Sequence, residues 1–321
     1  MKRVIVLSAL LAGLFGASLA DGAEYGVYVQ AVEKADGTFD EVVGKVSAAL
    51  GEKGWQLVKT YEAAVPGDCG FRAHTIVLHN AVYARKLLTH GPMAAFMLPP
   101  RVSVFEEEEG IGVVFTNPLS LSRTMLGEGT ADNLATETAA ELSSIIAAAA
   151  GGKAVDRQIG QMRSRGKVGG MGGGDFKDKV EIIHEADAAT NALQDVASAV
   201  VKGIKSDKQG WSLAYHIDCV PQGVVILGVN RSATEAKSYE IAGGKRKSKA
   251  NACPGIDHAP SFPIEIVVFQ VGNLVKVAIL DEMYRMKIYF EDAGKWAFMK
   301  NMTMPGQIEN EIVDMALSGL K

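Results

Sequence analysis

Two histidines and two methionines fall close together in the first half of the chain: His79, His90, Met93 and Met97. Imidazole and thioether are donors that suit copper or haem iron. His79 ends an apolar run over residues 75–78, and His90-Gly91-Pro92-Met93 opens another. A helix folded back between them would let the two histidines converge. The competing reading is packing, because methionine fills irregular cores and a histidine at a strand end is commonly a hydrogen-bonded turn residue. A second thioether group, Met299, Met302 and Met304, lies beside Trp296 and Phe298. Its close spacing suits Cu(I); alternatively it forms an apolar wall against the last helix.

Other constellations carry less chemistry. The glycines from Gly169 to Gly174 are not followed by Lys-Ser or Lys-Thr, so they do not make a phosphate loop. Lys245-Arg246-Lys247-Ser248-Lys249 reads as a solvated basic loop, or one that touches anionic lipid or an acidic partner. The acidic run Glu106 to Glu109 reads as a solvated hairpin tip. Cys69 and His74 stand five residues apart with no orienting third group, which is poor support for a nucleophile. There is no Gly-x-Ser-x-Gly elbow and no His-Glu-x-x-His.

The chain has three cysteines, Cys69, Cys219 and Cys253. Cys219 and Cys253 both fall in the second half, one ending an expected strand and one just before another, and are expected to pair and leave Cys69 free. A cross-domain bond through Cys69 is the rival. There is no CxxC, so metal ligation by cysteine ranks third.

The first segment reads as an address. Lys2 and Arg3 precede an apolar run of about a dozen residues, too short for a membrane span. Ser18-Leu19-Ala20 then supplies small residues for a signal peptidase, with cleavage expected after Ala20. The expectation is a periplasmic or secreted protein with no membrane span after cleavage. The charge balance, 33 Lys and Arg against 37 Asp and Glu, gives −4. General attraction to nucleic acid is therefore absent.

The elements that must position these residues occur twice. Gly54-Trp55 followed by Val65-Pro66 returns as Gly210-Trp211 followed by Val220-Pro221. Leu98-Pro99 leading to Val104-Phe105 returns 164 positions later as Phe262-Pro263 leading to Val268-Phe269, and Asn117 maps at the same shift onto Asp281. In the first copy, Thr38 with Glu41 makes a capping box. The stripe Phe39, Val42, Val43, Val46, Ala49, Leu50 follows at helical spacing. Strands are expected over 25–32, 55–61, 75–78, 101–105 and 111–116, and helices over 80–88 and 131–150, with another starting at Asn117-Pro118. In the second copy strands are expected over 179–184, 211–217, 224–229, 264–269 and 274–280. Helices are expected along Leu193, Val196, Ala197, Val200, Ile204 and from about 307 to 317. Mixed elements with tight hairpins predict an α+β fold of two similar domains, each an antiparallel sheet packed by helices. The expected boundaries are 1–20 for the signal peptide, 24–150 and 176–321 for the two units, and 151–175 for a glycine-rich flexible linker.

The run from Thr75 to Asn80, the helix after it, and Leu98-Pro99-Pro100-Arg101-Val102-Ser103-Val104-Phe105 with its acidic-glycine turn resemble the bacterial domain-of-unknown-function 302 family. His79-Asn80-Ala81 stands where that family has Gly-Asn-Pro. The second half resembles it more loosely, through Gly228-Val229-Asn230 and Phe262-Pro263. The resemblance implies a small α+β domain and supplies no catalytic residue. Function is thus expected to be that of an exported, non-enzymatic binding or accessory protein, whose partner is a small ligand or an envelope protein, most simply without a cofactor. The alternatives are a copper- or haem-binding carrier using the histidines and methionines of the first domain, or a purely structural envelope protein.

Overall fold

The capping box read at Thr38 is formed: the Thr38 hydroxyl accepts from the Glu41 amide, and the Glu41 carboxylate accepts from the Thr38 amide at 2.8 Å. It opens α1 (Phe39–Glu52), whose Phe39, Val42, Val46 and Leu50 are buried. The computed structural model describes residues 25–163, 168–170, 172–243 and 255–321.

The first unit runs β1 (Tyr25–Glu33), α1, β2 (Gln56–Glu62), β3 (Ala73–His79), α2 (Ala81–Leu88), a 3-10 segment Pro92–Met97, β4 (Arg101–Glu107), β5 (Gly110–Thr116), α3 (Pro118–Met125) and α4 (Asp132–Ala150). After β6 (Lys153–Arg163) the order recurs. It runs β7 (Val180–Asp187), α5 (Leu193–Lys205), β8 (Ser212–Cys219), β9 (Val224–Asn230), α6 (Ser232–Ala242), a 3-10 segment Ile256–Ser261, β10 (Ile264–Val271), β11 (Leu274–Leu280) and α7 (Glu282–Phe290). The short α8 (Lys295–Lys300) and the long α9 (Thr303–Ser318) complete it. The sheets have the same strand order, β2-β3-β4-β5-β1 and β8-β9-β10-β11-β7, and every neighbour pair is antiparallel. The fold is α+β, with two sheets packed by helices.

Equivalent residues do equivalent work. Asn117 and Asp281 each cap the helix that follows, α3 and α7, by accepting backbone N–H bonds. A short polar side chain at this position satisfies amides that the first helical turn leaves unpaired. Trp55 donates its indole N–H to Glu141 on α4 at 3.0 Å, and Trp211 donates to Glu311 on α9 at 2.9 Å. The Leu98–Pro99 and Phe262–Pro263 bonds are both cis.

The stretch expected to be a flexible linker is partly a strand. β6 pairs antiparallel with β1 and extends the first sheet to six strands. Its glycines signalled a linker, but Gly151, Gly152 and Gly160 all sit at positive φ, where they turn and bulge the strand. The open edge of β1 presents unpaired amides and carbonyls, and pairing them outweighs the low strand propensity of the segment.

The central strands are buried along almost their whole length, β4 from Arg101 to Phe105 and β10 from Ile264 to Phe269. Both sheet faces must then be covered. Helices α1 and α4 pair over the first sheet and α5 and α9 over the second. The other faces are covered reciprocally. The 3-10 segment Pro92–Met97 packs on β9 and β10, while Ile256–Ser261 packs on β3, β4 and β5.

Candidate functional site

Where the two units meet, β4 and β10 bring Arg101 and Glu265 together. Both follow their cis-proline by two residues, and they are 164 positions apart. Arg101 donates to the Glu265 carboxylate, to the Pro263 carbonyl at 2.8 Å and to the Tyr289 hydroxyl at 2.7 Å. The Tyr215 hydroxyl donates to Glu265 at 3.3 Å. All four side chains are buried. Burial pushes the Glu265 carboxyl up from its ordinary range, against the pull of Arg101 and Arg285. A second buried pair lies alongside: Arg285 donates to Glu282 at 2.7 and 2.9 Å and to the Ser261 carbonyl at 2.9 Å.

His258 is the other centre. It lies in the 3-10 segment of the second unit, fully enclosed, with Nδ1 2.8 Å from Asp257 and Nε2 3.1 Å from both oxygens of Asp292. Its ring stacks on Phe290 and meets Tyr28 of the first unit edge-on, with centroids 5.1 Å apart. Burial alone would lower its pKa, but the two carboxylates outweigh it and bring it to about 9. At neutral pH His258 is an imidazolium donating to both.

The rim of the contact is also built from polar groups. Glu235 on α6 accepts from the Tyr61 hydroxyl and the Ala64 amide, both at 3.0 Å. Burial raises the Glu235 carboxyl. On the far side Arg163 of β6 donates to the Ile288 and Lys287 carbonyls.

The residues singled out in the sequence lie elsewhere. His79 ends β3, half-buried, with its pKa lowered by burial. His90 is exposed in the turn after α2, so the two histidines hold opposite ends of that helix, about 12 Å of helical rise apart. Met93 is half-buried, and Met97 is buried in the core on the 3-10 segment that enters the second unit. Met93 and Met97 thus share an element, and the histidines do not converge on it. Among the described residues, no three or more His, Cys, Asp or Glu side chains group as a metal cage.

The cysteines depart from expectation. Cys219 is a free, buried thiol, its pKa raised by burial and then by Asp218. Cys69 is disulfide-bonded. The expected Cys219–Cys253 bridge with a free Cys69 is therefore not formed. Cys219 closes β8 and packs in the core as a small apolar side chain. Cys253, the basic run Lys245–Lys249 and residues 1–20 lie outside the described residues.

Sequence reasoning passed over Arg101, Glu265, Asp292, Tyr28, Tyr215 and Tyr289. One signal was available: the repeat places opposite charges, Arg101 and Glu265, at the same position of two otherwise apolar strands. On a pseudo-twofold contact, equivalent positions face each other, and opposite charges there can pair.

The geometry defines a protein of two α+β units locked face to face through a buried polar and aromatic interface. Residues 30–149, within the first unit, match the family model described as Domain of unknown function DUF302. A comparison with curated proteins finds no match. Among solved structures the chain is similar to that titled "Crystal structure of uncharacterized conserved protein DUF302 from Bacillus stearothermophilus", at 12% identity and a TM-score of 0.34, over 38% of this chain and 98% of that one.

Proposed function

We propose that the chain is an exported, non-enzymatic binding or accessory protein, its second unit a diverged tandem copy of the domain in the first. The observation that carries this reading is the state of the ionisable groups between the units. Arg101 with Glu265, Arg285 with Glu282, and His258 with Asp257 are buried and mutually paired, and the half-buried Asp292 completes the His258 set. Arg101 with Glu265 holds the units together and the other two sets bond within the second unit; groups so committed cannot reach a substrate. Binding then belongs to the outer surface.

The metal- or haem-carrier reading based on His79, His90, Met93 and Met97 has less support, because Met97 is buried in packing and the histidines stand at opposite ends of α2. The test is to express the full chain, fractionate the cell envelope and record native masses. A soluble envelope protein starting at Asp21, carrying a stoichiometric adduct and hydrolysing no ester, phosphate or peptide reporter, is the expected result. Retention of residues 1–20 in a cytosolic protein, or turnover abolished by His258→Gln in a folded variant, would overturn the proposal.

A further inference from the structure

Methionine and tryptophan usually lie inside, yet one short stretch places them outside. Trp296 is 75% exposed, Met299 46% and Met302 42%. Trp296 and Met299 are three residues apart on α8, hence on one face. The turn that follows is tight: the Asn301 side chain donates to the Ala297 carbonyl at 2.8 Å, and the Met304 amide donates to the Asn301 carbonyl at 3.0 Å. Met302 lies inside that turn with helical backbone angles, φ −59 and ψ −22, three residues beyond Met299. Met304 is half-buried and packs against the core. Of these three thioethers within six residues, Met299 and Met302 are turned to solvent rather than spent on packing.

We infer that Met299, Met302 and Met304, with the Trp296 ring beside them, form a surface site for a soft monovalent ion, Cu(I) or its redox-silent analogue Ag(I). Thioether sulfur is a soft, neutral donor that selects Cu(I) over hard divalent ions. An indole face adds cation–π attraction. The exposed Lys295 and Lys300 flank the site, and their charge penalises a divalent ion more than a monovalent one. No electron transfer is involved; the ion enters and leaves in one oxidation state. The inference rests on the reading of a binding protein and names its ligand class, at a place distinct from His79, His90, Met93 and Met97.

The test is a titration of the full chain with Ag(I), followed by native mass and by tryptophan fluorescence. Trp55 and Trp211 are buried, so quenching at the long-wavelength edge reports Trp296. One silver ion per chain and loss of that emission are expected. The Met299→Ile/Met302→Ile double variant should bind at least about tenfold more weakly, since even groups supporting a metal's ligands are worth that much. Trp296→Phe should still bind while the optical response disappears. Thioethers carry no proton to displace, so affinity should hold from pH 7 to pH 5, whereas thiolate or imidazole ligation weakens in acid. Unchanged affinity in the double variant, loss of binding in Cys219→Ser, or a steep fall in acid would each overturn the site. Because the titration uses purified protein, its failure leaves the envelope fractionation to judge the binding reading separately.

Discussion

Arg101 and Glu265 occupy the same position in the two units and bond to each other across the contact between them. Each stands two residues beyond a cis-proline, on a strand buried along most of its length, so the two sheets are joined through corresponding places. Each residue lies on a central strand of its own sheet, with the partner unit's 3-10 segment packed beside it. Removing one partner leaves the other buried and unpaired. Arg101→Met alone is expected to cost about 3–5 kcal/mol, while Arg101→Met with Glu265→Met recovers most of it, because an apolar pair needs no desolvation. Urea unfolding of the wild type, both single variants and the double variant measures the coupling. Additive costs would remove the pair as a coupled unit.

His258 gives the stability a pH slope. Its folded pKa, about 9, lies above the ordinary histidine value near 6.5. A raised pKa means that the folded state holds the proton more tightly. The contribution is therefore complete below about pH 6.5 and fades as pH rises toward 9. The size is about 3 kcal/mol by linkage. His258→Gln should flatten the unfolding midpoint between pH 6.5 and 9. A slope unchanged in that variant would refute the assignment.

Met97 and the histidines separate packing from ligation. Met97→Ala removes a buried side chain at the contact and should cost about 2–5 kcal/mol. His90→Ala, at an exposed position, should stay within about 0.5 kcal/mol. Thermal unfolding checks both. A large loss at His90, or a small one at Met97, would return the metal reading to that segment.

The thiols can be counted directly. Cys219 is free and buried with a raised pKa, so it should react slowly with a thiol reagent in the native protein and fully after denaturation. Denatured, unreduced protein should show one thiol per chain, and reduced protein three. Cys253→Ser should raise the unreduced count to two. If that variant still shows one, Cys69 is bonded to something other than Cys253.

Much of the fold could be read from residue types. Thr38 with Glu41, and Asn117 with its equivalent Asp281, announced helix starts because capping is a local bargain between a side chain and the next few amides. The alternation and hairpin turns announced β4, β5, β10 and β11 for the same reason. β6 was hidden because its glycines speak for a loop, and only the free edge of β1 makes a strand of them. The Cys219–Cys253 expectation failed because adjacency in the chain says nothing about which thiol faces the core.

The sequence by itself determined the doubled order of elements and the α+β class, since periodicity, caps and turns act within a few residues. The tertiary structure decided which groups meet: Arg101 with Glu265, and His258 with Asp292 and the Tyr28 ring. Pairing across a packed interface depends on distances set by the docking of two sheets, and no local pattern encodes them. It also decided that Met97 is buried while Met299 and Met302 face water, because burial is a property of the assembled surface rather than of the residue.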